Sequence, residues 1–178
     1  TLNYLVGDIL SIPVVKLEQY SSIIEKSVIS CIDVSVIDWD SFETSWDFKT
    51  HPLIDSNRLS LNGDVLQLKR GTIQSAFEAW KMRAHDRFKQ LKSNEEELNR
   101  IFIEIYDLQD ELTPEVEDKD VTVSLADEGR DIKSLISYAV GCMFGRYSLD
   151  EEGLIFAGGD FSGDKYKTFK PVKDNVLV

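Results

Sequence analysis

Leu2 to Val15 has an extended character and closes on Ile12-Pro13-Val14-Val15. Proline disfavours helical geometry in the residue before it, so the first helix is expected after this point. From Lys16 the period changes. Leu17, Tyr20, Ile24, Val28 and Cys31 recur at three- and four-residue steps, the repeat of one helix face, and the pattern fades near Val36. A dense aromatic and acidic stretch follows, Asp38-Trp39-Asp40-Ser41-Phe42-Glu43-Thr44-Ser45-Trp46-Asp47-Phe48, ending at His51-Pro52. Leu53 to Arg70 is weakly patterned, with turn signals at Asp55-Ser56-Asn57 and Asn62-Gly63, and is the best candidate for a mobile connection.

A long helix is predicted from near Thr72, with Ile73, Phe77, Trp80, Ala84, Phe88 and Leu91 on one stripe. Ser93-Asn94-Glu95-Glu96 has the form of a capping box, in which serine and glutamate side chains satisfy the free amides of a helix start. A second helix with the face Leu98, Ile101, Phe102, Ile105 and Leu108 is therefore expected, either folded back in a hairpin or continued through a kink at Ser93. Leu112-Thr113-Pro114 breaks the pattern, and Val121-Thr122-Val123 alternates like a short strand. Asp127 is placed to cap another helix whose buried face is Ile132, Leu135, Ile136, Ala139, Val140 and Met143. Gly141 and Gly145, four apart on that helix, would let a neighbouring backbone approach. The tail from Glu151 to Val178 reads as loops with room for a hairpin. The expectation is a mainly α fold, a helical bundle or hairpin with a few short peripheral strands. Residues 1–70 form an N-terminal segment, 71–150 a helical core and 151–178 a glycine-rich tail.

At 178 residues and 42% hydrophobic content the chain can bury a real core. No run approaches the roughly 18 apolar residues of a membrane span. Cys31 and Cys142 sit inside apolar helical patterns and read as reduced, buried thiols, which together with the lack of a signal peptide suggests the cytoplasm. The ends read as those of a piece of a longer protein. The net charge of -12, from 32 acidic against 20 basic residues, opposes DNA binding by the surface as a whole, because phosphate affinity comes from cationic groups that release counterions. Any DNA contact requires a local basic face.

The search for chemistry is mostly negative. There is no G-x-x-x-x-G-K-[ST] loop, and Ala157-Gly158-Gly159-Asp160-Phe161-Ser162-Gly163 lacks the preceding strand and following helix of a cofactor loop, so it reads as a flexible turn. No metal is expected. Only His51 and His85 are present, and Asp38, Asp40, Glu43 and Asp47 lack the glycine of a calcium loop; the acids are expected to face water while Trp39, Phe42, Trp46 and Phe48 pack on the helices. Glu43 to Lys49 does not have nuclease spacing, and no glycine-flanked nucleophile occurs, so His51 and His85 read as capping or solvated residues. The one concentrated basic surface is a helical stripe of Lys81, His85, Lys89 and Lys92, with Arg83 and Arg87 on another side; it is either a solvated face paired with acids such as Glu95 or a phosphate contact.

Three stretches carry a family resemblance: Asp38 to Phe48; Asn94-Glu95-Glu96-Glu97-Leu98-Asn99-Arg100-Ile101-Phe102-Ile103; and Ser137-Tyr138-Ala139-Val140-Gly141-Cys142-Met143-Phe144-Gly145-Arg146-Tyr147-Ser148-Leu149-Asp150. Together with Leu5-Val6-Gly7-Asp8-Ile9 and Ile12-Pro13, they resemble the adenine-specific DNA methyltransferases of BREX-type phage defence, the PglX type, and related restriction-modification enzymes. The resemblance implies a parent enzyme that uses S-adenosylmethionine and flips its target adenine out of double-stranded DNA. The family's Asn/Asp-Pro-Pro-Tyr/Phe motif is absent, since Pro13, Pro52, Pro114 and Pro171 stand apart, so no catalytic or cofactor-binding residue carries over. The implied role is a non-catalytic connector on the target-recognition side, following the catalytic domain. The alternative is a docking module for another defence protein, through Asp38 to Phe48 or the acidic surface.

Overall fold

A computed structural model describes residues 7, 10–11, 14, 18–55 and 72–172. Four α-helices are laid out along them: α1 (Ser21–Trp39), α2 (Pro52–Asp55), α3 (Ile73–Ile105) and α4 (Glu128–Met143), with a short 3-10 turn at Gly163–Lys165. No strand and no helix long and apolar enough to cross a membrane occurs among the described residues. The mainly helical expectation holds, and none of the expected peripheral strands forms among the described residues. The proposed connection within 53–70 falls largely outside the described residues; its first part is α2.

Helix α3 is the spine, about 50 Å long at 1.5 Å per residue. It opens where the sequence predicts, with the Thr72 hydroxyl accepting the Ser75 N–H at 3.1 Å. It then runs unbroken through Ser93, which excludes the hairpin. A serine followed by glutamates caps a helix only if the preceding backbone leaves helical geometry. Here Lys89, Gln90, Leu91 and Lys92 are good helix formers with no glycine or proline among them. Asn94 instead accepts from Gln90 Nε2 and donates to Ser30 Oγ, each at 2.8 Å. The helix ends on Asp107 at φ 56°, with Leu108 N–H donating to the Ile103 carbonyl at 3.0 Å.

Helix α1 lies antiparallel along α3, as three pairs show: Tyr20 with Glu104, Ser30 with Asn94 and Asp38 with Arg87. It begins at Ser21 rather than Lys16 and continues to Trp39. The extended reading of Leu2 to Val15 fails where residues are described, because Gly7 and Leu10 are helical and Ser11 N–H closes a turn on the Gly7 carbonyl at 3.1 Å.

From the end of α3 the chain doubles back as an extended strap. Asn99 Nδ2 donates to the Pro114 carbonyl, Val116 N–H to Glu96 and Lys92 to Asp118, so the strap retraces α3 towards its N-terminal half. Val121 and Val123 point inward and are buried with Phe88 and Leu91. The alternation was real, but its cause is a helical surface beneath and not a neighbouring strand.

Asp127 caps α4 as predicted, accepting the Arg130 N–H at 2.6 Å. The buried face of α4 is Asp131, Tyr138 and Cys142, whereas Ile136 is 59% exposed and Val140 is exposed. The hydrophobic repeat thus placed the face only in part: Ile132 and Leu135 do pack against Trp80 and its neighbours, but aspartate and tyrosine supply the deepest contacts. Gly145 stands beyond the helix end at φ 78°, where Arg146 N–H bonds the Gly141 carbonyl at 2.8 Å. It is Tyr147, not a backbone, that closes on Gly141. The tail forms loops pinned by Tyr166, whose hydroxyl donates to the Gly145 carbonyl at 2.5 Å. No hairpin forms among its described residues.

Candidate nucleic-acid interface

The amphipathic repeat that buries Ala76, Trp80, Ala84, Phe88 and Leu91 turns two basic faces of α3 away from the core. On one side Lys81, His85 and Lys89 are exposed. Lys92, the fourth predicted member, is half-buried and its ammonium meets Asp118 at 2.5 Å, a hydrogen bond that raises its pKa. The strap therefore occupies one end of the stripe and leaves three side chains towards solvent.

On the other side Arg83 and Arg87 lie over Trp80, with guanidinium carbons 6.0 and 4.6 Å from the ring centroid. Sequence reasoning separated these arginines from the stripe but missed what they build. The spacing Trp80, Arg83, Arg87 was a usable signal, because steps of three and four stack both cations on one ring. They border a cleft of about 380 Å³ also lined by Asp40, Asp47, Lys49 and Thr50. Arg87 approaches Asp38 at 3.7 Å, and its Nε and Nη2 are buried without a hydrogen bond. Burial lowers the Arg87 pKa, Asp38 raises it and Arg83 lowers it again. Three carboxylates thus face three cations in this cleft, whereas the other side carries Lys81, His85 and Lys89 with the exposed Glu78 among them.

The acids of Asp38 to Phe48 are dispersed. Asp38 is buried and accepts the Ser124 N–H at 3.0 Å. Asp40 accepts from Ser45 Oγ at 2.5 Å, and Glu43 from Ser137 at 3.3 Å. No cluster able to hold a metal ion occurs among the described residues. The expected division of acids outward and aromatics inward is half wrong: Phe48 is buried, but Trp39 is 61% and Trp46 99% exposed. Asp38 goes inward because Arg87 and a strap amide await it there.

His51 is a buried cap, 3% exposed, and its Nδ1 accepts the Leu53 N–H at 3.2 Å at the start of α2. Burial pulls its pKa from 6.5 down to about 4, against a smaller upward pull from Asp131. The unfolded chain thus binds the extra proton first. Stability is whole above pH 6.5 and falls as pH drops through the window to about 4, by roughly 3 kcal/mol in total. Urea unfolding at pH 7.5, 6 and 5 checks this; His51→Asn, which can still cap the turn, flattens the slope. His85 is exposed on α3, as a solvated residue should be. Both cysteines are free, and burial raises both thiol pKa values, which keeps them protonated and poorly nucleophilic. Gly158 and Gly159 take positive φ in a turn with open space around them.

No protein-family model matches the chain. The chain is 48% identical over 178 residues to the adenine-specific methyltransferase PglX of Lacticaseibacillus casei (strain Zhang), an alignment covering all of this chain and 14% of that protein. This chain is homologous to a segment of the PglX-type adenine-specific methyltransferases. The adenine-specific methyltransferase BrxX of Escherichia coli O9:H4 (strain HS) is 29% identical over 199 aligned positions, covering 99% of this chain and 15% of that protein. The chain thus spans about one-seventh of the length of these curated PglX-type relatives.

Proposed function

We propose that the chain is a non-catalytic helical brace within a PglX-type adenine-specific DNA methyltransferase of a BREX-type phage-defence system. It holds double-stranded DNA in register with a catalytic domain elsewhere in the same polypeptide. The observation that carries this reading is α3, a continuous 33-residue helix clamped by α1, the strap and α4, with Lys81, His85 and Lys89 aligned on its free side. Such a rod fixes distances between parts of a larger protein, and its lysines supply the phosphate contacts that set register without reading bases. S-adenosylmethionine binding and methyl transfer belong to the rest of the polypeptide in this proposal.

The test is duplex binding by the full-length parent across a salt series. Lys81→Ala and Lys89→Ala each lower the log–log salt slope by about 1 and weaken binding about equally for all sequences. Unchanged slopes and affinities in both variants would remove DNA contact from this helix. The second reading, docking of another defence protein, is favoured by Trp46, which is 99% exposed on a turn stapled by Ser45. Loss of a co-purifying protein in Trp46→Ser, with DNA binding intact, would favour it.

A further inference from the structure

Helix α1 carries apolar residues on two opposite sides. The face towards α3 mixes Ile24, Cys31 and Val34 with Ser27, Ser30 and the buried Asp38. The large apolar residues Ile29, Ile32, Val36 and Trp39 recur at steps of three and four on the outward side, where they are 49%, 56%, 51% and 61% exposed. A helix with large apolar residues on opposite sides belongs between two layers of protein. Only one layer is supplied by the described residues. A contiguous outward stripe of this kind is a contact surface rather than the scattered single exposures that soluble proteins tolerate.

We propose that the Ile29–Ile32–Val36–Trp39 stripe is an intramolecular interface, covered by an apolar face of another domain of the same methyltransferase polypeptide. The occupant follows from length: the chain spans 14% and 15% of two relatives, so by far the largest body of protein tethered beside α1 is the remainder of the parent. Tethering raises its effective concentration above that of any free partner. Glu25, Lys26 and Asp33 are exposed at the margin of the stripe and give it the polar rim of a protein interface. The inference rests on the parent being one long methyltransferase, as proposed above, but not on the DNA contact of α3.

Photo-cross-linking in the full-length parent tests it. Ile32→benzoylphenylalanine and Trp39→benzoylphenylalanine are compared with Met82→benzoylphenylalanine, a control on the solvent side of α3 where Met82 is 68% exposed. The expected result is efficient cross-linking from both α1 positions to peptides outside these 178 residues, without a gain in mass, and little from the control. Trp39 is the variant least able to disturb folding, since one aromatic group replaces another. Species of doubled mass, cross-links to a separate protein, cross-links confined to these 178 residues, or yields no higher than at Met82 would each overturn the interface. Duplex binding by the same samples separates the two readings: failed cross-linking with lysine-dependent DNA affinity retained sinks the interface alone.

Discussion

Asp131→Ala is expected to lower unfolding stability by about 2–3 kcal/mol, because it removes the acceptor at the centre of a buried network. Asp131 is 3% exposed and accepts from Trp80 Nε1 at 2.8 Å, Asp127 N–H at 3.0 Å and Arg130 Nε at 2.7 Å. Alanine leaves the indole N–H inside the protein with no acceptor and takes from the Asp127 amide its partner at the helix start, and a buried donor left unmet loses its hydration without compensation. A domain of this size is stable by about 5–15 kcal/mol in all, so the variant stands closer to its unfolding threshold. In a Trp80→Phe background the same substitution costs less, since one orphaned donor is already gone. Denaturant titration of the four proteins measures both effects. A loss within about 0.5 kcal/mol, the range of an ordinary surface change, would contradict the network.

Gly141→Leu is the second large loss, on the order of 2–3 kcal/mol from overpacking. A Cβ at Gly141 would stand 2.6 and 2.9 Å from Cδ2 and Cε2 of Tyr147. That ring cannot withdraw, because it is 3% exposed, stacked on Tyr138 at 4.9 Å and held edge-on by Phe48 at 5.5 Å. Gly141→Ala is the more incisive companion. Alanine improves a helix interior by about 1 kcal/mol when nothing is near. Net destabilisation therefore reports the tyrosine contact, and net stabilisation would show that Tyr147 moves freely.

The starts of α3 and α4 were legible in the sequence, for a local reason. Thr72 and Asp127 each satisfy an amide three residues away, so the cause lies within one turn of chain. The stripe Trp80, Ala84, Phe88, Leu91 was legible because a helix packed on one side writes its period plainly. Ser93 misled because the same four letters cap a helix or sit within one, and α1 crossing at Ser30 and Asn94 favours continuity. The deepest contact of α4 was hidden because Asp131 is drawn inward by Trp80, 51 positions earlier. Val121 and Val123 showed the right alternation without revealing that a helix lay beneath them. At the candidate interface, Lys81, His85 and Lys89 were readable as a stripe from their spacing. The pairing of Lys92 with Asp118 and the drawing of Arg87 towards Asp38 were not, since each partner is brought up by the fold from a distant stretch.

In the proposed role this segment positions DNA and performs no step of methyl transfer. Steady-state methylation by the full-length parent carrying Lys81→Ala and Lys89→Ala tests it most directly, with duplex concentration varied through saturation. Removing contacts made equally in the ground and transition states raises KM and leaves kcat unchanged. The expected result is that pattern: a raised KM for DNA and full recovery of rate at saturating duplex. A large fall in kcat with KM unchanged would contradict it and place these side chains in the chemical step.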